Sequence, residues 1–69
     1  MTTITITVNG DERQIDAAIT VADFLTQHDL QAKMVVVEHN LKILSRDQYA
    51  NTVLNSGDNL EIVQMMAGG

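Results

Sequence analysis

Few side chains in this chain of 69 residues are suited to chemistry. The sequence has no cysteine, which excludes disulfides, thiolate-held zinc, iron–sulfur clusters and a cysteine nucleophile. His28 and His39 are the two candidates for a general base, and no third residue at a suitable spacing completes a metal site. We expect His28 to be partly buried on a helix face and His39 to be solvated in a turn. The side chains therefore predict neither a catalytic site nor a metal site.

The remaining polar groups have ordinary structural explanations. Asp11, Glu12 and Asp16 are expected to form a solvated strand edge that discourages pairing with other chains, rather than a calcium loop. Ser45 and Ser56 have the surroundings of a helix cap and a turn, not those of a nucleophile. No glycine-rich phosphate-binding loop occurs in the sequence. Catalysis by this chain alone is therefore not expected.

The other group that could react is the carboxylate of the last residue. The sequence ends Ala67-Gly68-Gly69. Backbone that carries no Cβ atoms can enter a narrow active site of another enzyme. A carboxylate donates its acyl group only after its oxygen has become part of a leaving group, so this chemistry needs ATP and a partner enzyme. The alternative interpretation is a frayed terminus whose small residues have no role.

Length and charge limit the class of protein and its partners. The formal net charge is −5, from nine acidic and four basic residues. This balance repels phosphate backbones and anionic lipids, so neither nucleic acid nor a membrane is expected as a partner, and a basic protein surface is favoured. The chain suffices for one domain without a deep substrate cavity. No basic leader and no apolar run of the roughly 18 residues that a membrane span needs is present, which favours a cytoplasmic location.

The elements that would position the terminus begin with a hairpin. Residues 3–8 alternate threonine with isoleucine or valine, which predicts a half-buried strand. Asn9-Gly10 favours a two-residue type I′ turn, and residues 11–15 form the returning strand. Thr20 and Asp23 are spaced to cap a helix over about residues 21–28.

The second half of the chain predicts short strands and turns. Residues 34–37 have strand composition, residues 38–40 are expected to turn the chain, and residues 42–44 form a short strand. Residues 45–49 predict a capped single helical turn, and residues 59–65 predict the final strand after a dense turn signal. Three side chains are expected to pin the loop between these two segments to the core: Tyr49, Val53 and Leu54.

These elements predict an α+β fold, a sheet with one helix across one face. Strand alternation assigns side chains to the two faces. Glu61 belongs in water, so its neighbours Leu60 and Ile62 face the core, while Val63 and Met65 face solvent. Glu38 places Val36 outward by the same logic. The sequence therefore predicts an exposed apolar patch formed by Val36, Val63 and Met65, of the kind used for docking.

Several short segments occur in an order shared with a known family. They are Val8-Asn9-Gly10, the helix start from Thr20 to Leu25, Val37-Glu38-His39-Asn40, Lys42-Ile43-Leu44 with Arg46, Ser56 to Val63, and the diglycine end. Over essentially the whole chain, the sequence resembles the ubiquitin-like β-grasp sulfur carriers, most closely the ThiS family of thiamine-biosynthesis sulfur carriers. Leu41, where many relatives have glycine or another residue in the turn, and Met65-Met66 depart from the pattern. The resemblance implies a mixed sheet of four to five strands on one helix over residues 1–65 and a flexible tail over residues 66–69.

The resemblance also implies a mechanism. An E1-like, ATP-dependent enzyme of the ThiF type would adenylate the Gly69 carboxylate, and Gly68 and Ala67 would give the tail access to its active site. Sulfur derived from cysteine would then displace AMP and leave a thiocarboxylate. A thiazole synthase of the ThiG type would take this sulfur to build the thiazole of thiamine. The chain itself would be no enzyme and would bind no cofactor, since ATP belongs to the activating partner.

Three alternatives share the same fold and tail. One is the small subunit of molybdopterin synthase or another thiocarboxylate carrier; those relatives often have Pro and Phe before the diglycine, and both are missing here. Another is a ubiquitin-like modifier that joins Gly69 to a protein lysine through an amide. The third is an interaction domain whose diglycine is accidental.

Overall fold

The structure, a computed structural model, describes residues 2–65. These residues form five strands, one α-helix and two 3₁₀ turns. The strands are β1 (Thr3–Val8), β2 (Asp11–Asp16), β3 (Val35–His39), β4 (Lys42–Ile43) and β5 (Asn59–Gln64). The helix is α1 (Val21–Gln27), and the 3₁₀ turns are Ala32–Met34 and Arg46–Asn51.

The first hairpin forms as predicted. β1 pairs with β2 in antiparallel register from Thr3↔Asp16 to Val8↔Asp11, so β2 is one residue longer than expected. Asn9 and Gly10 have φ values of 50° and 88°. Both central residues of a type I′ turn need this left-handed conformation, which asparagine and glycine adopt at low cost.

A reciprocal cap starts the helix. The Asp23 backbone N–H donates to the Thr20 hydroxyl at 3.1 Å, and the Thr20 backbone N–H donates to the Asp23 carboxylate at 3.0 Å. Two of the donors that a helix start leaves unpaired are thereby satisfied. The helix ends at Gln27, one residue earlier than predicted, with His28 as its C-cap.

The sheet has the order β2-β1-β5-β3-β4. β1 and β5 are parallel, and every other neighbouring pair is antiparallel. The helix covers one face and buries Val21, Phe24 and Leu25 against the inward side chains of the strands. The predicted α+β arrangement is confirmed. The remaining core residues are Ile6, Val8, Ile15, Val35, Val37, Tyr49, Leu54 and Leu60.

The turn after β3 lies later than predicted. Glu38 and His39 belong to the strand, and the turn consists of Asn40 and Leu41, with φ values of 52° and 73°. Glu38 was expected to mark a turn because it is polar. In the structure Glu38 belongs to the strand, where it pairs with Glu61 on one side and with Ile43 on the other. Its side chain lies on the solvent-facing side of β3, which explains why it is polar.

Two further expectations are wrong in detail. Met34 lies in the first 3₁₀ turn rather than in β3. Val53 does not pin its loop to the core, since it is 46% exposed, whereas Tyr49 and Leu54 are buried as predicted. Adjacent residues of an extended segment point to opposite sides, so burying Leu54 turns Val53 outward.

Candidate functional site

The end of β5 leads towards the predicted tail, and β5 lies in the middle of the sheet. It pairs with β1 through Thr7↔Asn59 and Val8↔Leu60, and with β3 over five residue pairs. The Met65 N–H donates to the Met34 carbonyl at 2.7 Å, which continues the pairing one residue beyond the strand. The predicted tail, residues 66–69 with Ala67, Gly68 and Gly69, lies outside the described residues.

The Asn9 side chain continues the hydrogen bonding to β5 beyond the last residue of β1. Its Oδ1 accepts from the Ile62 N–H at 2.7 Å, and its Nδ2 donates to the Ile62 carbonyl at 3.2 Å. The Asn9 backbone N–H also donates to the Leu60 carbonyl. The amide thus replaces a strand residue beside β5, at the point where the parallel β1 ladder has ended. This contact fixes the half of β5 that leads to residue 65.

A buried carboxylate fixes the other end of β5. Asp58, 8% exposed, accepts from His39 Nε2 at 2.8 Å and from Asn40 Nδ2 at 3.2 Å. The Asn55 backbone N–H donates to the same carboxylate at 2.8 Å. The Asn40 Oδ1 in turn accepts from the Asn59 N–H at 2.8 Å. The network joins the turn before β5 to the turn after β3.

The Asp58 network also sets the protonation of its carboxyl group. Burial by itself raises the pKa of Asp58. The hydrogen bonds from His39, the Asn55 backbone and Asn40, together with the charge of His39, outweigh this effect and hold the pKa below its ordinary value. Asp58 therefore acts as an ionised acceptor at neutral pH. His39 is partly buried in this contact, so the prediction of a solvated turn residue is wrong.

The predicted apolar patch is present on the sheet face opposite the helix. Val36 lies directly across from Val63 in the β3–β5 pairing. Val36, Val63 and Met65 are all exposed, Val63 by 63%. Their inward neighbours Val35, Val37 and Leu60 are buried, so the face assignment from strand alternation is confirmed. The patch lies at the end of the sheet from which the chain continues to residue 66.

His28 has no catalytic surroundings. It is exposed rather than partly buried, its ring stacks on Phe24 with centroids 4.2 Å apart, and its Nδ1 donates to the Phe24 carbonyl at 3.0 Å. It borders a cleft of about 190 Å³ whose floor is mainly apolar. Among residues 2–65, no three His, Cys, Asp or Glu side chains are placed to hold a metal ion. No helix in this part of the chain is long and apolar enough to cross a membrane.

The comparison with protein families shows to which family the chain belongs. The model of the ThiS family matches residues 6–69. The chain belongs to the ThiS family. Members of this family are small sulfur carrier proteins, and the five-stranded mixed sheet with one helix is their β-grasp fold.

Individual relatives agree with the ThiS assignment. The sulfur carrier protein ThiS of Bacillus subtilis is 36% identical over 50 residues, which are 72% of this chain and 76% of that protein. The crystal structure of the thiamine biosynthesis protein (ThiS) from Geobacter metallireducens superposes with a TM-score of 0.81 at 32% identity. That match covers 96% of this ThiS-family chain and 100% of the other.

A second kind of relative is much longer than this ThiS-family chain. A thiazole synthase of Paramagnetospirillum magneticum is 39% identical over 64 residues, 93% of this chain. The matched segment is 20% of that protein. The chain thus spans about a fifth of the thiazole synthase that it matches.

Sequence reasoning missed the side-chain contacts that hold β5. Asn9 was recognised for its turn conformation, not for its bonds to Ile62, which lies 53 positions away. Asp58 was recognised as part of a turn signal, not as a buried acceptor. The available signal was the occurrence of each residue in a segment shared with the ThiS family, which points to a role without saying which one.

Proposed function

We propose that this chain carries sulfur as a thiocarboxylate on Gly69. An E1-like enzyme first joins the Gly69 carboxylate to the α-phosphorus of ATP, and pyrophosphate leaves. A sulfur nucleophile derived from cysteine then attacks the acyl carbon, and AMP leaves with the bonding electrons. The observation that carries the proposal is the ThiS family match, which extends from residue 6 to residue 69 and so includes the diglycine.

The chemistry of the chain is consistent with this role. A carrier of this kind needs no cysteine of its own, because the sulfur is bound to the acyl carbon of the last residue, and the sequence contains none. Gly68 and Gly69 have no Cβ, so a partner's active site can close around the backbone. The Asn9 and Met34 contacts hold β5 firmly up to residue 65, which gives the partner a rigid reference point.

We propose a thiazole synthase as the consumer of the sulfur. The support is the thiazole synthase relative that contains a segment similar to this chain along a fifth of its length. When two activities occur in one polypeptide, the product of one is commonly the substrate of the other. The proposed pathway is the formation of the thiazole of thiamine.

We assign the patch of Val36, Val63 and Met65 to docking of the activating enzyme. Residues 66–69 span at most about 14 Å when fully extended, so any active site that reaches Gly69 lies close to Met65. The enzyme surface around that active site therefore meets the exposed end of β5. Apolar side chains at this position are suited to such a contact.

Intact-mass analysis tests the carrier chemistry. The chain is produced together with its activating enzyme and sulfur donor, and the masses of the intact chain and of its C-terminal peptide are measured. Replacement of one oxygen by sulfur, confined to that peptide, is expected. A C-terminal peptide joined to a target lysine would instead identify a ubiquitin-like modifier and contradict the proposal.

Two tail variants test the role of the diglycine. Gly68→Val, or one residue appended after Gly69, is expected to abolish sulfur loading because the tail no longer fits or no longer ends at the right atom. The fold should be unchanged, since residues 2–65 form the described sheet and core. Thermal unfolding is the control measurement. Loading that persists in both variants would show that the tail is not the carrier group.

A further inference from the structure

A cleft of about 190 Å³ lies on the helix side of the sheet. Val8 of β1 and Ile62 of β5 line it from the sheet, and Phe24 and Leu30 line it from the helix and the segment that follows. Val8 and Phe24 are buried, and Ile62 and Leu30 are half-buried, so the inner surface of the cleft is apolar. A cleft of this size suits a single aliphatic side chain better than a large ligand.

The cleft lies beside the point where the chain leaves the sheet. Gln64 is the last residue of β5 and also lines the cleft. It pairs with the buried Val35, so its side chain is on the helix side. Met65, the next residue, is exposed on the outer face. Alternation continued by one residue predicts that the Met66 side chain belongs to the helix side, next to the cleft.

A cation lies at the rim of the cleft. Arg13 of β2 pairs with the buried Ile6, so its side chain is also on the helix side, and it lines the cleft. Within residues 2–65, no carboxylate is within ion-pair distance of Arg13. An apolar cleft with a cation at its rim matches a segment that has an apolar side chain and an anionic group a few residues apart.

The end of this chain has that composition. Met66 is apolar and adaptable, and its sulfur is suited to contact with an aromatic ring such as that of Phe24. Three residues further on is the Gly69 carboxylate, which the proposed function converts into a thiocarboxylate, also an anion. The two residues between them are small, so the backbone can lie close to the rim. Residues 66–69 span at most about 14 Å when extended, which exceeds the width of a cleft of this volume.

We propose that the cleft holds the loaded tail between the two enzymes, with Met66 in its apolar interior and the Gly69 thiocarboxylate against Arg13. The inference rests on the proposed function. The contact covers the sulfur, a nucleophile that small electrophiles in solution would otherwise consume. An exposed ion pair is weak, so a partner enzyme can still withdraw the tail. The docking patch lies on the opposite face at the same end of the sheet, so an enzyme can bind the patch before the tail leaves the cleft.

Chemical shifts test the contact in the unloaded chain. Arg13→Gln removes the cation, and Met66→Gln removes the apolar side chain. We expect Arg13→Gln to move the Gly69 amide resonance towards its random-coil position, and Met66→Gln to move the Leu30 amide resonance. Each substitution is distant in the sequence from the residue observed, so such a change requires the contact. An unchanged Gly69 resonance in Arg13→Gln would overturn the inference.

Arg46→Gln is the matched control. Arg46 is exposed in the second 3₁₀ turn and does not line the cleft, and its replacement makes the same change in net charge. The Gly69 resonance should stay in place in this variant. Equal movement in Arg46→Gln and Arg13→Gln would show that only net charge matters and would overturn the inference.

Alkylation of the sulfur tests the protective role. The loaded chain, separated from its partners, is treated with iodoacetamide, a neutral reagent whose approach does not depend on net charge. We expect the sulfur of Arg13→Gln to react about two- to fivefold faster than that of the unchanged chain, the range that loss of one exposed ion pair allows. Arg46→Gln should react at the unchanged rate. Equal rates in all three chains would contradict the protective role.

Other occupants of the cleft give different results. Resonance changes that disappear on dilution would place the tail of a second copy there and overturn the inference. If Arg13→Gln weakens binding to either enzyme and leaves the Gly69 resonance in place, the cleft is a docking site for that enzyme and the inference is wrong. An unchanged chain that never carries sulfur would contradict the proposed function alone, because the measurements on the unloaded chain would still show the contact.

Discussion

Single polar side chains hold the strand that leads to the tail. Asn9 and Asp58 act at opposite ends of β5, and each bonds to backbone that the sheet itself leaves unpaired. Their effect is to fix the position and direction in which the chain leaves the sheet. Substitutions of Asn9 or Asp58 should therefore change how the tail is presented to a partner enzyme, as well as the stability of the fold.

Removal of the Asn9 side chain should reduce the protection of nearby backbone amides against hydrogen exchange. Asn9→Gly keeps the left-handed turn conformation but removes both hydrogen bonds to Ile62, so the free energy of unfolding should fall by about 1–2 kcal/mol. Hydrogen exchange at the Ile62 amide should accelerate more than exchange at Leu60. Asn9→Asp is the control, because it keeps the acceptor for the Ile62 N–H and should cost less. Unchanged exchange at Ile62 in Asn9→Gly would contradict this account.

Asp58 predicts a dependence of stability on acid. Its pKa is lower in the folded chain than in the unfolded chain, so its ionised form stabilises the fold above the unfolded pKa of about 3.8. This contribution is lost as pH falls through the lower, folded pKa. Asp58→Asn should reduce the free energy of unfolding by about 1–3 kcal/mol at neutral pH, since it leaves a donor against His39 or the Asn55 N–H.

The measurement for Asp58 is a series of urea unfolding curves between pH 7 and acid. The difference between the unchanged chain and Asp58→Asn should narrow as the pH falls below the unfolded pKa. Asp11→Asn, at an exposed edge position, should show little difference at any pH. A difference between the unchanged chain and Asp58→Asn that does not vary with pH would refute the linkage.

At the scale of elements, the two hairpins have the same turn with different second residues. Asn9-Gly10 and Asn40-Leu41 both place two successive residues at positive φ. Glycine adopts this conformation freely, while a leucine there brings its Cβ too close to the backbone. The β3–β4 turn therefore keeps an unfavourable residue that is also the most exposed large apolar side chain among those described.

Substitutions at the second residue of the two turns should change the free energy of unfolding in opposite directions. Leu41→Gly should raise the free energy of unfolding by up to about 1 kcal/mol, because relief of backbone strain exceeds the entropic cost of glycine. Gly10→Leu, the matched reverse change, should lower it by a similar or larger amount. Chemical denaturation of both variants is the measurement. A destabilised Leu41→Gly chain would show that the leucine side chain contributes to the fold.

The elements also show how far the sequence could be interpreted. Alternation of side chains assigned Val36 and Val63 to the outer face correctly, because burial on one side of a strand is a local property. The turn after β3 was misplaced because Glu38 lies on the solvent-facing side of its strand, where a polar residue looks the same as one in a turn. Contacts such as His39 to Asp58 depend on the register of strands distant in the chain, which local patterns do not specify.

At the scale of the whole molecule, the proposed docking patch lies on one face and at one end. The opposite face contains the helix and the core, so the outer face can change with little effect on stability. The proposed reactive group comes from the resemblance and from the diglycine. The position of the proposed docking surface follows from strand alternation.

This separation predicts a contrast between two valines. Val63→Asp should weaken binding to the activating enzyme at least about tenfold, because it places a charge in an apolar contact, while the unfolding temperature changes little. Val37→Asp is the structural control: Val37 is fully buried, and a charge there should prevent folding. Calorimetric titration and thermal unfolding measure the two effects. Unfolding of Val63→Asp would show that the patch belongs to the core.

The position of β5 has a consequence for synthesis of the protein on the ribosome. The last strand of the described chain fills the middle of the sheet, between β1 and β3. A nascent chain whose final segment is still inside the exit tunnel can form the first hairpin, but it cannot join that hairpin to β3 and β4. Folding of the sheet therefore waits until residue 64 has left the exit tunnel, and prematurely released chains are left with unpaired strands that proteases recognise.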